Sequence, residues 1–141
     1  MTVCRGIRGA TIAEANTAEA IYKATGTLLA DLVEANNIVE RDVAAVYFTT
    51  TPDLNASFPA AAARQMGWNN TALMGGTEVD VPGRLNRCSR VSMLKFLNIG
   101  QSSLWWKQYN YRYCMPHPQH PFKYKNEVFS SSKCFYITLQ F

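Results

Sequence analysis

Residues 42–67, DVAAVYFTTTPDLNASFPAAAARQMG, pass from one kind of secondary structure to another within a short distance. The first part, DVAAVYFTT, is rich in β-branched and aromatic side chains and predicts a buried strand. The turn sequence TPDLN follows, with Pro52 and Asp53 as residues that favour chain reversal. Pro59 then opens a short helix, PAAAARQM, which Gly67 closes. A strand, a turn and a helix in this order indicate a fold that mixes α and β structure.

The residues before this stretch predict another strand and a longer helix. TVCRGIRGAT, residues 2–11, has the composition of a strand and ends in small residues. In NTAEAIYKATGTLLADLVEANN, residues 16–37, Asn16 and Glu19 form a capping-box pattern at the start of a helix. Apolar residues of this helix recur on one stripe: Ile21, Leu28 and Leu32.

The residues after the stretch predict two more strands. A brief strand around ALM, residues 72–74, leads to a pair of glycines, and the turn DVPGR follows. RCSRVSMLKFL, residues 87–97, alternates between polar and apolar side chains as a strand does. We therefore expect residues 1–100 to form a single α+β domain.

The composition of the chain changes after about Gly100. Residues 101–141 contain no glycine and eleven of the seventeen aromatic residues, and five Lys or Arg stand against one acid, Glu127. WWKQYNYRY, residues 105–113, predicts an edge strand by its aromatic content. The prolines of PHPQHPFKYKN, residues 116–126, predict irregular chain. We interpret this atypical C-terminal tail as a replaced terminus or a shifted reading frame.

The net charge of +4 arises in the tail, because residues 1–100 hold nine basic and nine acidic residues and are neutral. A neutral body argues against a broad phosphate-binding face, so we expect no nucleic-acid partner. The start, MTVCRGIRGAT, lacks the apolar run of a signal peptide, and no segment reaches transmembrane length. We therefore expect a cytoplasmic protein with no membrane partner and with reduced cysteines.

The residue types also narrow the chemistry. Both histidines, His117 and His120, lie in the tail, so the body offers no histidine base. Cys114 and Cys134 lie near them in sequence, but the spacing matches no usual zinc site, and we expect no metal. The chain lacks a dinucleotide fingerprint, a P-loop and a nucleophile elbow. This pattern favours a reaction that needs no general base.

Three arginines, Arg84, Arg87 and Arg90, recur at every third position of EVDVPGRLNRCSRV, residues 78–91. Side chains of a strand alternate between its two faces, so Arg87 and Arg90 point to opposite faces. This alternation allows one of the three to face a cleft while the others are solvated or lie at an interface, and for Arg84 and Arg87 we favour the solvated or interface position.

Arg8 raises the same question near the N-terminus. It precedes Gly9 and Ala10, small residues that let a ligand or another chain approach the backbone closely. Arg8 is therefore a second arginine to consider as an anion ligand.

Three motifs together resemble one family of enzymes. RGIRGAT at residues 5–11, TPDLNASFPAAAAR at residues 51–64 and EVDVPGRLNRCSRV at residues 78–91 are similar to the monofunctional, trimeric chorismate mutases with a barrel-like α/β fold. The order and spacing of the motifs fit residues 3–95 without large gaps. The resemblance implies a mixed sheet with flanking helices, a pseudo-barrel homotrimer and active sites between subunits.

The resemblance also implies which residues bind chorismate. Arg8 matches the arginine that binds a substrate carboxylate, and Arg90 matches the one that contacts the ether oxygen of the breaking bond. Glu78 matches the carboxylate that accepts a hydrogen bond from the ring hydroxyl. These three are the expected catalytic residues. Further substrate-binding residues are expected in the pocket wall: Phe58, Ala60, Arg64, Leu73, Met74 and Gly75.

This sequence departs from the family pattern in three places. A peripheral lysine of the family is replaced by Ala61, and a wall position that can be cysteine is Gly75. The arginine-proline-aspartate stretch that covers the family's pocket is absent from residues 101–141.

The function implied is the cofactor-free isomerisation of chorismate to prephenate in phenylalanine and tyrosine biosynthesis, within the shikimate pathway. The alternative is a catalytically impaired, ligand-binding homologue of the same fold, which the missing pocket cover and Ala61 favour. A third interpretation is a single-stranded nucleic-acid binder that works through the aromatic and basic residues 105–113.

Overall fold

A computed structural model describes residues 2–98 and, for the backbone alone, residues 133–139. The elements in chain order are β1 (Thr2–Ile12), α1 (Ala18–Asn36), a 3-10 turn (Glu40–Asp42), β2 (Val43–Thr50), α2 (Ala60–Gln65), β3 (Ala72–Thr77), β4 (Cys88–Asn98) and β5 (Lys133–Leu139). The strands and helices predicted between residues 2 and 98 are all present, and the expected α+β class is confirmed.

The strands form one mixed sheet in the order β3-β2-β4-β1-β5. β2 and β3 are parallel and are joined through α2, whereas the other neighbouring strands are antiparallel. β4 therefore lies between β1 and β2 at the centre of the sheet. The residues of the EVDVPGRLNRCSRV motif that begin β4 are held by hydrogen-bonded strands on both sides.

β5 adds an edge to the sheet by pairing its backbone with β1, and Gly6 lies opposite Leu139. The sequence pattern did not indicate a strand at Lys133–Leu139. The edge strand predicted at residues 105–113 and the irregular chain predicted at residues 116–126 lie outside the described residues.

Both helices pack on one face of the sheet. Leu28, Leu29 and Leu32 of α1 are buried with apolar residues of the central strands: Val46, Phe48, Val91 and Met93. Ile21, the third member of the predicted stripe, is buried in an adjoining cluster. The predicted apolar stripe is thus the face that α1 buries, and burial of each such side chain stabilises the fold by about 1.5–3 kcal/mol.

The close approach expected at Gly9 is made by α1. A Cβ atom at Gly9 would lie 2.8 Å from Cδ1 of Leu28 and 3.3 Å from both Cδ atoms of Leu32. The glycine therefore lets the helix contact the backbone of β1. The expectation that a ligand or another chain approaches here is wrong for Gly9, because a helix of the same chain occupies the space.

The helix cap differs from the predicted one. The N-cap of α1 is Thr17, whose hydroxyl accepts a hydrogen bond from the Ala20 backbone N–H at 3.2 Å. Asn16 instead accepts hydrogen bonds from the backbone N–H groups of Asn55 and Ala56, at 3.0 and 2.9 Å. It ties the start of α1 to the connection between β2 and α2.

The opposite face of the sheet carries a mixture of polar and apolar side chains. Pairing register places Arg8, Tyr47, Met74 and Ser92 in one row across it, and Ala10, Thr49, Gly76 and Arg90 in the next. Tyr47 and Met74 are exposed, and none of the helices within residues 2–98 covers this face. We call it the open face of the sheet.

Candidate active site

Arg90 lies in the middle of the open face. In β4 it stands opposite Ala10 of β1 and Thr49 of β2. Its neighbours in β4, Ser89 and Val91, are buried on the helix side, so strand alternation directs Arg90 away from the helices. Arg90 therefore points to the open face, and its expected place in a substrate cleft stays a prediction.

Glu78 forms an ion pair with Arg90. It directly follows β3, and its backbone N–H donates to the Thr50 carbonyl oxygen at 2.9 Å, which places its side chain beside β2. Its Oε2 contacts Nη1 of Arg90, and both side chains are largely withdrawn from solvent, with exposed fractions of 18% for Glu78 and 28% for Arg90. An ion pair in this setting is screened less than one on the surface.

Thr49 binds the other oxygen of the same carboxylate. Its hydroxyl Oγ1 donates to Glu78 Oε1 at 2.6 Å. Thr49 and Arg90 face each other across β2 and β4, so the two donors approach the Glu78 carboxylate from adjacent strands. The orientation of Glu78 is therefore defined by contacts to both of its oxygens.

Arg8 lies in the neighbouring row of the open face. It stands opposite Ser92, two residues along β4 from Arg90, which corresponds to about 7 Å along the strand. Burial, and then the positive charge of Arg8, lowers the pKa of Arg90 below its ordinary value. Guanidinium groups nevertheless stay charged in proteins. The site thus combines two positive charges with one carboxylate, which suits an anionic ligand.

Residues 79–87 connect Glu78 to β4 as a loop held by ion pairs. The Arg84 N–H donates to the Val81 carbonyl oxygen at 3.2 Å, and Gly83 has a φ of 80°, as the third residue of a type II turn requires. The Arg84 guanidinium binds Asp53 at 2.7 Å and Asp80 at 2.5 Å. Of the two positions expected for Arg84, the solvated one is wrong, because two carboxylates hold the side chain against the protein; the position at an interface stays a prediction.

Asp53 comes from the turn after β2 and binds this loop through both of its oxygens. Oδ1 accepts from Arg84, and Oδ2 accepts from the backbone N–H of Arg87 at 2.6 Å. Partial burial alone would raise the pKa of Asp53. Hydrogen bonds from Thr51, Arg84 and the Arg87 N–H outweigh it and lower that pKa to about 2. Asp53 is therefore ionised at any physiological pH.

Arg87 lies just before β4, and its side chain extends to the connection between β1 and α1. It is exposed, and its guanidinium donates to the carbonyl oxygen of Glu14. Its φ is 52°, in the left-handed region that side chains other than glycine rarely adopt. The solvent exposure expected of Arg87 is confirmed, whereas its backbone conformation was not expected from the sequence.

The expected wall residues lie in and around α2 and β3. Phe58 is 79% exposed, Ala60 begins α2, and the Arg64 guanidinium donates to the carbonyl oxygens of Trp68 and Thr71. Within the chain, these hydrogen bonds of Arg64 hold the connection between α2 and β3 in place.

The wall residues of β3 divide between the two faces of the sheet. Leu73 packs against the core beneath the helices, whereas Met74 is 62% exposed on the open face. Gly75 is exposed, and a Cβ atom added there would have room, since it would meet no atom beyond its chain neighbours within 4 Å. The structure thus brings together Arg8, Glu78 and Arg90, while the wall residues form a second group along α2 and β3.

Cys88 is buried beside this site and is a poor nucleophile. Burial, and then the negative charge of Asp53, raises the pKa of its thiol to about 11.

Among the residues described, no three His, Cys, Asp or Glu side chains come together as a metal site. Cys114, His117 and His120 lie outside that part of the chain. Within the same part, no helix is long and apolar enough to cross a membrane.

Two contacts of the site could not be read from the motifs. Thr49 and Asp53 are 29 and 31 residues from their partners Glu78 and Arg84. The available signal is their position: Thr49 lies one residue before the end of β2 and Asp53 lies in the turn that follows, and loops positioned by a rigid scaffold often carry functional residues.

Comparison with known proteins identifies the family. The family model for type I chorismate mutase matches residues 4–109, beyond residue 95, where the resemblance of the motifs ends. The chorismate mutase AroH of Thermus thermophilus is 50% identical over 91 residues, which are 64% of this chain and 75% of that protein. Its counterpart from Bacillus subtilis is 40% identical over 101 residues, or 71% of this chain and 80% of that protein.

A solved structure shows the same fold. The chorismate mutase from Clostridium thermocellum superimposes with a TM-score of 0.62 at 51% sequence identity, covering 62% of this chain and 79% of that one. Taken with the match of the family model, these relatives show that the chain belongs to the type I chorismate mutase family.

Proposed function

We propose that this chain isomerises chorismate to prephenate in the cleft formed by Arg8, Glu78 and Arg90. Chorismate mutase is the activity of the family, and the class of enzyme is an isomerase. The observation that carries the proposal for the site is the Arg90–Glu78 ion pair, which is largely shielded from solvent. The charge of Arg8 is close enough to lower the pKa of Arg90.

The reaction is an intramolecular, pericyclic rearrangement, so no group of the protein has to transfer a proton. The protein has to hold a compact conformer of the substrate and stabilise the negative charge that grows on the ether oxygen. Arg8 binds a substrate carboxylate, and Arg90 donates to the ether oxygen. Their charges are permanent, which suits a site without a titrating acid or base.

Glu78 and Arg90 keep hydrogen-bonding groups free for the substrate when they are paired with each other. A guanidinium has five N–H donors, so Arg90 keeps one on Glu78 while others reach the ether oxygen. A carboxylate has about four lone-pair positions, so Glu78 accepts from the ring hydroxyl in addition to Thr49 and Arg90. The ion pair thus preorganises the arginine and reduces the reorganisation needed in the transition state.

The wall residues complete the pocket from a neighbouring subunit in this proposal. Phe58 and Met74 are large apolar side chains left exposed by the single chain, and the open face of the sheet carries further exposed apolar side chains. Such surfaces are typical of protein–protein contacts. The protein is accordingly proposed to be a homotrimer with pockets between subunits. The family supports the expected place in aromatic amino acid biosynthesis, whereas the cytoplasmic location and the lack of a cofactor stay predictions.

The direct test is the loss of chorismate absorbance after addition of the purified full chain, with prephenate identified as the product. Light scattering in the same buffer measures the mass of the assembly, and a monomer would leave each pocket without its second wall. Binding of prephenate without any turnover, measured by calorimetry, would instead identify the impaired homologue.

A further inference from the structure

The loop of residues 79–87 separates the two members of the catalytic ion pair. Glu78 directly precedes it, and Arg90 follows its last residue by three positions. β3 and β4 are not neighbours in the sheet, because β2 lies between them. The loop therefore has to cross over the end of β2, and its path bears on where Glu78 meets Arg90.

The turn after β2 holds this loop at two points through Asp53. Oδ1 of Asp53 binds Nη1 of Arg84 at 2.7 Å, near the middle of the loop. Oδ2 accepts from the backbone N–H of Arg87 at 2.6 Å, at the last residue of the loop. The Arg84 side chain is only 19% exposed, so this ion pair is partly shielded from solvent.

The second contact stabilises an unfavourable backbone conformation at the entrance to β4. Arg87 has its φ at 52°, where a Cβ atom crowds the following carbonyl group. Its carbonyl oxygen accepts from the Ala13 N–H at 2.8 Å, so this residue is held on both sides. The next residue, Cys88, exchanges hydrogen bonds with Thr51: the Thr51 N–H donates to its carbonyl oxygen, and its own N–H donates to Thr51 Oγ1, both at 3.0 Å.

We propose that Asp53 is a positioning residue of the mutase reaction, which holds residues 79–87 so that Arg90 and Glu78 meet in the geometry that stabilises the transition state. Asp53 does not touch the substrate in this proposal and acts through Arg84 and the Arg87 backbone. The inference rests on the function proposed above. It adds Asp53, the carboxylate of the TPDLN turn, to the residues that determine the rate.

The test compares kcat and KM of Asp53→Ala with those of the wild-type protein and of Lys95→Met. Lys95 is a matched control, because its ammonium donates to the carbonyl oxygens of Asn36 and Asn37 and so ties another connection to β4, on the helix side of the sheet. Asp53→Ala is expected to lower kcat by about 10- to 100-fold with little change in KM, as misplacement of a catalytic group does. Lys95→Met is expected to lower Tm while kcat stays within about twofold of wild type.

Two further variants separate positioning from general destabilisation. Asp53→Asn keeps an oxygen that accepts from the Arg87 N–H but loses the charge that holds Arg84, so its kcat should lie between those of wild type and Asp53→Ala. Arg84→Ala should lower kcat as well, and the two effects should be less than additive in the double variant Asp53→Ala, Arg84→Ala, because the two side chains share one contact while each also has a partner of its own, the Arg87 N–H for Asp53 and Asp80 for Arg84.

Hydrogen exchange of the Arg87 amide, followed by NMR, gives a readout that does not depend on turnover. Exchange in Asp53→Ala should be at least about tenfold faster than in wild type, while amides in the centre of β4 keep their protection. If wild type is active but Asp53→Ala keeps its kcat, the positioning role is refuted. If wild type does not convert chorismate, the proposed function fails and the catalytic role of Asp53 with it. If the Arg87 amide exchanges at the same rate in Asp53→Ala as in wild type, the hydrogen bond from this amide to Asp53 is refuted as well.

Discussion

Thr49 Oγ1 donates a hydrogen bond to Glu78 Oε1 at 2.6 Å, and Arg90 binds the other oxygen of that carboxylate. The two donors stand opposite each other on neighbouring strands, so the sheet itself defines how the carboxylate is oriented. A carboxylate held at one oxygen alone rotates about its last torsion, which is broad. The Thr49 contact is therefore the feature that restricts Glu78 to one orientation.

Replacement of Thr49 by valine should lower kcat by roughly tenfold, because a lost hydrogen bond to a charged group is worth about 1.5–3 kcal/mol and only part of it reaches the transition state. Valine keeps the β-branched shape, so the strand should persist. Thr49→Ser retains the hydroxyl and should restore most of the rate. The two variants are compared by steady-state kinetics with chorismate. Equal kcat for Thr49→Val and wild type would contradict a role in orienting Glu78.

Replacement of Arg90 by alanine should lower kcat by roughly 10²- to 10³-fold, since a donor aimed at developing charge contributes about 3 kcal/mol or more. Arg90→Lys should also be slow, because an ammonium cannot bind Glu78 and the ether oxygen in the fixed fork of a guanidinium. Arg41→Ala is the control, as its side chain is 85% exposed. Near-normal kcat/KM in Arg90→Ala, with far-ultraviolet circular dichroism unchanged, would rule out the assignment of Arg90.

The pH dependence of stability should report the Asp53 contacts. The folded-state pKa of about 2 lies below the ordinary 3.8, so ionised Asp53 stabilises the fold fully above pH 3.8, and this contribution is lost as the pH falls through about 2. Asp53→Asn should thus be less stable than wild type near neutral pH, and the difference should shrink towards pH 2. Urea unfolding at both ends of the range measures it. A difference that stays constant with pH would mean that Asp53 does not titrate as described.

Two glycine replacements should have opposite effects on stability. Gly9→Ala places a Cβ atom 2.8 Å from Leu28 Cδ1 and should destabilise the fold by about 1–3 kcal/mol through overpacking. Gly26→Ala in α1 meets no atom within 4 Å and should stabilise the helix by roughly 0.5–1 kcal/mol. Thermal unfolding of the two variants gives the sign directly. A higher Tm for Gly9→Ala would show that α1 does not pack on β1 as described.

The Cys88 thiol should resist alkylation in the native protein. Its raised pKa, about 11, leaves almost no thiolate at pH 8, and the side chain is buried. Peptide mapping by mass spectrometry after iodoacetamide treatment should find Cys88 unmodified in native protein and modified once urea is present. Rapid labelling without denaturant would show that the start of β4 opens readily.

Local sequence patterns were sufficient for the elements between residues 2 and 98. The β-branched run of β2, the stripe of α1 and the alternation of β4 each reflect a period that a single element imposes on its own residues. The candidates Arg8, Glu78 and Arg90 could be named in the same way, because each lies in a motif short enough to be recognised. The capping error at Asn16 has the same origin, since Asn16 and Thr17 are both good N-caps and only contacts with Asn55 decide between them.

Contacts between distant residues were decided only by the tertiary structure. Arg84 and Arg90 have the same side chain and lie six positions apart in one motif, yet Arg84 holds a loop and Arg90 pairs with Glu78. What separates them is which carboxylate lies within reach: Asp53 for Arg84 and Glu78, held by Thr49, for Arg90. The order β3-β2-β4-β1 brings these partners together from two strands, the residue that follows β3, a loop and a turn. A residue's type and spacing determine what it is able to bind, but its partner is determined by the packing of elements that are far apart in the chain.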